Sequence, residues 1–246
     1  AVALSGVTKV YGRGPSAVLA LDRVSLDVAP GEFVCLVGAS GCGKSTLLNL
    51  IAGLDRPSGG DIRLAGAARP GLMFQDPALF PWLTVAANVE LPLRLRGVSR
   101  AERRDRVAAL LDAVHLGDFA RRRPHELSGG MRQRVALART LALDTPVLLM
   151  DEPFGALDAM TRDLLHDELE RIWRERRLTV VFVTHNVREA ARLADRIVLL
   201  SSRPGRIIYE TPVDVARPRR IDSPEVSGLA ADVIDRLRAE VGRHGH

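Results

Sequence analysis

The sequence has few of the residues that stabilise exported proteins or anchor chains in membranes. Its 246 residues include only two cysteines, Cys35 and Cys42, so nothing indicates a disulfide framework and a reducing compartment is favoured. The longest apolar runs, such as residues 178–183 and 197–200, are strand-sized, whereas a membrane helix needs about 20 apolar residues. The first residues lack a basic flank and a long apolar core, and we therefore expect no signal peptide there.

Lysine is also nearly absent, and aromatic residues make up only 4% of the chain, although the formal net charge is +5. Almost all of the positive charge is arginine. The arginine-rich stretches at residues 100–106 and 121–123 alternate with acids or flank helices, as solvated faces do. No group of aromatic residues that could stack on bases accompanies this charge. We therefore expect no nucleic-acid partner.

The order of the predicted elements indicates an α/β protein with a mostly parallel sheet. Residues 32–37 are apolar and end in a glycine loop, which is typical of a buried parallel strand. Apolar residues then follow at helical spacing, namely Leu47, Leu48, Ile51 and Leu54, and Gly53 lies near the predicted stop of this helix. Further strand-like runs lie at residues 61–64, 71–74, 147–150, 179–183 and 197–200. Strands that alternate with helices predict a parallel sheet with right-handed crossovers.

We predict one domain over residues 1–246, in which a helical subdomain is inserted into an α/β core that has an antiparallel β region at its N-terminal end. The helical stripes that follow a capping box at Ser99 and a turn at Ser128 indicate the insertion. A last apolar stripe after Pro224 predicts an amphipathic helix. The predicted parts are the core at 1–76 and 145–220, the helical subdomain at 77–144 and the C-terminal helix at 221–246.

The first of three segments that carry chemistry is a glycine loop between a strand and a helix. The pattern G-x-x-x-x-G-K-[ST] is met by Gly38, Gly43, Lys44 and Ser45. Backbone N–H groups of such a loop, with the positive end of the following helix, bind phosphate oxygens. We expect Lys44 to reach the outer phosphates of a nucleotide and Ser45 to ligate Mg²⁺. The other phosphate-binding positions are Ser40, Gly41, Cys42 and Thr46.

Cys42 has two interpretations. A thiol at a helix N-terminus can have a lowered pKa and react readily. We favour the simpler interpretation that Cys42 is a small residue that contributes only its backbone N–H to phosphate binding.

The second segment is a pair of adjacent carboxylates that ends the apolar strand at residues 147–150. Ligands of open parallel sheets bind at the carboxyl ends of the strands, where Asp151 lies. We predict that Asp151 holds Mg²⁺, directly or through water, and that Glu152 orients or deprotonates the attacking water. The alternative interpretation is that both acids are simply solvated. It does not explain why so hydrophobic a strand ends in two adjacent carboxylates followed by proline.

The third segment, Ser128, Gly129 and Gly130, opens a helix and so presents a second anion-binding terminus. One copy of the fold cannot easily turn this terminus and the Lys44 loop towards the same phosphate. In a head-to-tail homodimer, each copy covers the nucleotide of the other and two equivalent composite sites result. A flexible loop before a helix is the alternative for the Ser-Gly-Gly triplet taken alone.

Three separate side chains are weaker candidates. His185 follows the strand at residues 179–183 and can donate to a γ-phosphate, although a lone histidine there is more often an ordinary surface or core residue. Gln75 can sense metal or water by hydrogen bonding. Tyr11 can stack on adenine.

Taken together, these residues resemble the nucleotide-binding subunit of an ATP-binding cassette (ABC) transporter over nearly the whole chain. Tyr11 is similar to the adenine-stacking aromatic residue, and Gln75 and His185 are similar to the Q-loop glutamine and the switch histidine. The remaining matches are the Walker A loop at 38–46, the signature motif at 127–133, Walker B at 147–152 and the D-loop at 156–158. Met131 and Asn186 depart from the residues that many members carry there.

The resemblance implies a P-loop NTPase core, ATP and Mg²⁺ as cofactors, and hydrolysis of ATP. It implies that Lys44, Glu152 and His185 are catalytic residues. It also implies that Gln75 joins Ser45 and Asp151 at the metal, and that Asp158 belongs to the nucleotide site.

The same resemblance implies transmembrane permease subunits as partners, an extracytoplasmic solute-binding protein as an indirect partner, and a peripheral position on the cytoplasmic face of the bacterial inner membrane. Four segments resemble bacterial importers of the nitrate, sulfonate and taurine group, namely residues 73–76, 80–82, 127–131 and 202–207. The short stretch after the core leads us to expect no added regulatory domain.

The alternatives to an importer subunit are an ABC ATPase of an exporter or lipid-transport system, and a soluble non-transport ABC ATPase. Leu79, Phe80 and Trp82 have two equally favoured interpretations: they line a groove in which the permease docks, or they pack in the core.

Overall fold

The computed structural model describes residues 1–66 and 69–244 of the chain. Its strands are β1 Val2–Tyr11, β2 Val18–Val28, β3 Phe33–Val37, β4 Gly59–Leu64, β5 Gly71–Met73, β6 Val147–Asp151, β7 Thr179–Val183, β8 Arg196–Leu200 and β9 Ile207–Pro212. Its helices are α1 Lys44–Ile51, α2 Val85–Leu95, α3 Arg100–Ala113, α4 Gly129–Leu141, α5 Ala159–Arg176, α6 Val187–Leu193 and α7 Pro224–His244.

Two sheets organise the described residues. The larger sheet has the strand order β5-β6-β7-β3-β8-β9, in which only the β8–β9 pair is antiparallel. The smaller sheet is antiparallel, with the order β2-β1-β4. The prediction of an α/β fold with a mostly parallel sheet and an N-terminal antiparallel region is therefore confirmed.

Strand β3 is apolar throughout because both of its faces are buried. Phe33, Cys35 and Val37 join the hydrophobic cluster on one face of the large sheet, whereas Val34 and Leu36 join the cluster on the other face. A strand that is covered on both faces has no position that tolerates a polar side chain. The glycine loop follows directly, so the buried strand holds the start of that loop in a rigid frame.

Helices α2, α3 and α4 lie between β5 and β6 in the chain. The Ser99 hydroxyl caps α3 by accepting from the Glu102 N–H, as the capping-box pattern predicts. The apolar stripes of α3 and α4 are buried, and their members are Val107, Leu110, Leu111, Val135, Ala138 and Leu141. These stripes join the hydrophobic cluster that contains Phe33, Cys35 and Val37 of β3, which attaches the helical segment to that face of the sheet.

The first helix ends close to Gly53, where the sequence predicts its stop, so the last apolar residue at helical spacing lies outside it. α1 ends at Ile51, and Leu54 lies beyond it with 61% of its surface exposed. Gly53 has a φ of 69°, a left-handed conformation that ends a helix, so the apolar stripe stops one turn before Leu54.

The C-terminal helix α7 begins at Pro224, as predicted, and Val226, Ala230 and Val233 are buried against the rest of the chain. Residues 245 and 246 of the predicted segment lie outside the described residues. None of the helices in the described ranges is long and apolar enough to cross a membrane.

Candidate active site

A cleft of about 490 Å³ lies where the glycine loop meets the N-terminal β region. It is lined by Tyr11, Val18, Ala20, Ser40, Gly41, Gly43, Lys44, Ser45, Thr46, Gln75, Glu152 and Arg203. Most of the residues that the sequence assigns to phosphate binding therefore meet in one cavity, together with residues from distant parts of the chain.

The glycine loop takes a shape that side chains would obstruct. Gly43, which precedes α1, has a φ of 102°, and a Cβ atom there would lie 2.7 Å from Leu21 Cδ2. Lys44 is buried at the start of α1, and its Nζ donates to the carbonyl oxygens of Gly38 at 2.8 Å and Ala39 at 2.9 Å. The loop thus holds an ammonium group beside the N–H groups at the helix end, which suits an anion.

Cys42 is buried inside this loop, and its Sγ accepts from Lys44 Nζ at 3.7 Å. A Cβ atom at Gly38 would lie only 2.8 Å from that Sγ. The thiol is therefore tightly enclosed, which agrees with its interpretation as a small packed residue.

Asp151 ends β6 at the carboxyl edge of the sheet, and its carboxyl group is buried. Burial raises the pKa of this carboxyl above its ordinary value, and the charge of Glu152 raises it further. A hydrogen bond with Ser45 and the charge of Lys44 act in the opposite direction. Burial has the largest effect, so the pKa of this carboxyl is raised overall.

The Glu152 carboxylate contacts two other candidate side chains, those of His185 and Gln75. His185 Nδ1 lies 3.0 Å from Glu152 Oε2, and Gln75 Nε2 donates to the same oxygen at 3.5 Å. Glu152 also has a φ of 45°, which is uncommon for a residue other than glycine. Its N–H donates to the Val183 carbonyl at 3.0 Å and so fixes this conformation next to β7. Three residues that the sequence proposed separately therefore form one hydrogen-bonded group.

Gln133, for which the sequence predicts no role of its own, contacts this group in the structure. Gln133 is buried on α4, and its Nε2 donates to the carbonyl oxygens of Gln75 at 3.3 Å and Glu152 at 3.4 Å. It therefore connects the helix that Ser128 opens to the loops that carry Gln75 and Glu152. Its position within the signature-like segment was the only sequence signal for this role.

Ser128 and Asp158 cap helices outside the cleft. The Ser128 hydroxyl accepts from the Met131 N–H at 3.2 Å at the start of α4, and Asp158 Oδ1 accepts from the Thr161 N–H at 2.9 Å at the start of α5. Ser128, Gly129 and Asp158 are exposed, and Gly130 is half-buried. None of these four residues lines the Lys44 cleft.

Tyr11 ends β1 at the rim of the cleft and is 42% exposed. Lys9 Nζ lies 4.9 Å from the centre of the Tyr11 ring, on the ring face. An exposed aromatic ring at this position is available for stacking on a planar ligand.

A scan against family models matches residues 21–155 to the ABC transporter family. The nitrate import ATP-binding protein NrtD of Synechocystis is 47% identical and covers 86% of this chain and 82% of its own length. The aliphatic sulfonates import ATP-binding protein SsuB 1 of Mesorhizobium japonicum is 47% identical and covers 96% of this chain and 88% of its own length.

A solved dimeric structure of MJ0796, a bacterial ABC transporter cassette, superposes with a TM-score of 0.81 at 37% identity and covers 88% of this chain and 100% of that chain. Another structure of the MJ0796 cassette, dimeric and in a post-hydrolysis state with ADP and Pi, gives a TM-score of 0.80 at 36% identity. These matches confirm the resemblance found in the sequence. The chain therefore belongs to the ABC transporter family, as one of its ATP-binding cassettes.

Proposed function

We propose that this chain hydrolyses ATP to drive uptake of a small solute, such as nitrate, a sulfonate or taurine, through a separate membrane permease. The observation that carries the proposal is the convergence of His185 and Gln75 on the Glu152 carboxylate, beside the cleft that contains Lys44. The similarity to nitrate and sulfonate import proteins supports the direction of transport and the class of solute.

Each residue of the cleft has a task in this proposal. Lys44 and the backbone N–H groups of residues 40–46 bind the phosphates, and Tyr11 stacks on the adenine. Glu152 accepts the proton of the attacking water, since its carboxylate faces the cleft. The imidazole of His185 orients that carboxylate and donates to the outer phosphate.

The oxygen donors present suit Mg²⁺, which prefers hard oxygen ligands. Ser45 supplies a hydroxyl, Asp151 a buried carboxylate and Gln75 an amide oxygen. A bound cation would stabilise the ionised form of this buried carboxylate. The ion, when bound, neutralises charge on the phosphates during hydrolysis.

A homodimer completes the site in this proposal. Ser128, Gly129 and Gly130 form an anion-binding helix end outside the Lys44 cleft, so a second copy must bring its own helix end to the nucleotide. Asp158, which is exposed at the start of α5, is assigned to the same contact. ATP contacts made only in the closed pair drive closure, and hydrolysis lets the pair reopen.

The permease is assigned to the surface around Trp82, which is 67% exposed, whereas Leu79 packs partly against the core. Phe80 lies between the two, with its ring 5.4 Å from that of Trp82 and the Arg139 guanidinium 6.0 Å from the centre of the Phe80 ring.

The proposal includes a helical subdomain at residues 77–144 that transmits motion between the core and the permease. It also includes a peripheral position on the cytoplasmic face of the membrane and a solute-binding protein on the other side.

Replacing Glu152 by Gln tests the chemistry. We expect Glu152→Gln to slow ATP hydrolysis by on the order of 10² to 10⁴, because the amide cannot accept the proton, and to accumulate an ATP-bound dimer. Phosphate release and size-exclusion chromatography measure the two effects. Glu175→Gln, which removes an exposed carboxylate at the far end of α5, serves as the matched control.

Turnover of Glu152→Gln at the wild-type rate would remove Glu152 from the role of base. A purified chain that neither binds nor hydrolyses ATP would overturn the whole proposal. The solute is then found by purifying the complex with its permease and solute-binding protein, and by screening solutes against the latter by thermal shift.

A further inference from the structure

The segment between β8 and β9 packs directly against the glycine loop. A Cβ atom at Gly205 would lie 2.2 Å from the Cys42 carbonyl oxygen, so the two backbones touch at this point. The Gly205 N–H donates to the Ala20 carbonyl at 2.9 Å, and the Asp22 N–H donates to the Gly205 carbonyl at 3.0 Å. The segment is therefore held between β2 and the glycine loop.

This anchoring places the Arg203 guanidinium at the rim of the cleft. Its Nε and Nη2 both lie 3.3 Å from the Gly41 carbonyl oxygen, and the side chain is part of the cleft lining. Within the described parts of the chain, Arg203 has no carboxylate within ion-pair distance. A guanidinium carries five donors, and one carbonyl oxygen leaves most of them free for another acceptor.

The next arginine in the same segment is different. Arg206 donates from Nε to Asp22 Oδ2 at 2.8 Å, and its Nη2 lies 2.6 Å from the same oxygen. It does not line the Lys44 cleft. The segment thus carries one arginine paired with a carboxylate and one whose charge faces an anion-binding cavity.

We infer that Arg203 is a nucleotide-binding residue that donates to a phosphate group of the bound nucleotide. The inference rests on the proposed function, since it requires that ATP occupies the Lys44 cleft. A guanidinium matches phosphate geometry well, and its bonds to phosphate are charge-assisted. The backbone contact at Gly205 and the bond to Gly41 hold the arginine against the loop that cradles the phosphates.

Nucleotide affinities of matched variants test the inference. We expect Arg203→Gln to weaken ATP and ADP binding about tenfold at low salt, as loss of one partly exposed charge-assisted hydrogen bond implies. The loss should shrink as the KCl concentration rises, because salt screens exposed charges. Arg203→Lys should recover part of the affinity, since it keeps the charge without the planar fork. Isothermal titration calorimetry with Mg²⁺-ATP and with ADP gives these values.

Two further variants separate the possible failures. Arg206→Gln removes the same charge from the same segment and should bind ATP as the wild type does. Lys44→Ala reports whether ATP uses this cleft: wild-type affinity in Lys44→Ala would overturn the loop assignment, and the inference with it. Affinity lost in Lys44→Ala but unchanged in Arg203→Gln would overturn the inference about Arg203 alone.

A purely structural role for Arg203 as a brace of the glycine loop predicts something else. In that case Arg203→Gln would lower the melting temperature of the nucleotide-free chain, and its loss of affinity would not depend on salt. That result would also overturn phosphate binding by Arg203.

Discussion

Asp151 and Glu152 are neighbours in the sequence, but their surroundings give them different chemistry. Asp151 is the last residue of β6 and is buried among the strands, whereas the left-handed backbone of Glu152 turns its carboxylate towards Gln75 and His185. A non-glycine residue in this conformation costs free energy that the surrounding structure must supply. One residue in a left-handed conformation thus gives two adjacent carboxylates different surroundings, as their proposed roles at a metal ion and a water molecule require.

The buried charge of Asp151 leads to a prediction about stability. The pKa of Asp151 is raised in the folded chain, so above that pKa the ionised carboxylate destabilises the fold relative to the protonated form. We expect Asp151→Asn to raise the melting temperature by roughly 2–4 °C near pH 7 in metal-free buffer. The gain should disappear as the pH falls to the ordinary aspartate value, because Asp151 is then protonated. Differential scanning calorimetry with EDTA measures both effects.

The same variant separates stability from metal binding. Mg²⁺-ATP should stabilise the wild type more than ATP with EDTA does, and Asp151→Asn should lose this difference. Equal stabilisation of the two proteins by Mg²⁺ would contradict the assignment of Asp151 to the metal.

Helices α5 and α6 share a buried polar network that ends at the turn carrying His185. His166 Nε2 on α5 lies 2.7 Å from Glu189 Oε1 on α6, and the other Glu189 oxygen accepts from the Thr184 hydroxyl. The Asn186 N–H donates to the same Thr184 hydroxyl at 2.9 Å. The Glu189 carboxylate thus holds Thr184, and Thr184 in turn holds Asn186, so the neighbours of His185 on both sides belong to this network.

Breaking this network at its centre should destabilise the fold. Glu189 and His166 are both buried, so Glu189→Ala leaves polar partners without acceptors in the interior, and we expect it to cost about 3 kcal/mol in the free energy of unfolding. Urea unfolding measures the loss. Glu175→Ala, at an exposed position of α5, should change it by less than about 0.5 kcal/mol.

A double-mutant cycle shows whether the network acts as a unit. His166→Ala with Glu189→Ala should cost less than the sum of the two single changes, because each single change already breaks the shared hydrogen bond. Strict additivity would contradict a direct coupling between the two helices.

At the scale of the whole molecule, the two helix ends that we propose to bind anions do not share a cavity. The end of α1 carries Lys44 in the cleft, whereas the end of α4 is exposed at Ser128. A molecule built in this way is incomplete as a monomer if both ends serve one nucleotide. This geometry is the reason that the proposed mechanism requires a second copy.

Placing a bulky cation at the exposed helix end tests that requirement. In a Glu152→Gln background, we expect Ser128→Arg to abolish the ATP-dependent dimer while ATP affinity of the monomer stays within about twofold, because Ser128 lies outside the cleft. Light scattering and calorimetry measure the two quantities. Ser99→Arg is the matched control, since Ser99 caps α3 in the same way. A dimer that survives Ser128→Arg would contradict the composite site.

Local patterns were sufficient for much of the fold and for locating the side chains that we propose as the main catalytic groups. Apolar runs located β3, β6 and β7, and the loop around Lys44 could be placed between a strand and a helix because glycine spacing and strand burial are local properties. The stop of α1 near Gly53 is a local property as well. Helical spacing continued in the sequence beyond the point where the backbone at Gly53 leaves the helix.

The sequence by itself determined which chemical groups are present, namely the glycine loop with Lys44, the Asp151–Glu152 pair and the serine-capped helix. Only the tertiary structure decided that Gln133 joins the Gln75 and Glu152 loops and that Arg203 reaches Gly41. These contacts join residues as far as 162 positions apart in the chain. No local pattern encodes such pairs, because they depend on how the sheet, the helical segment and the β8–β9 connection pack against each other.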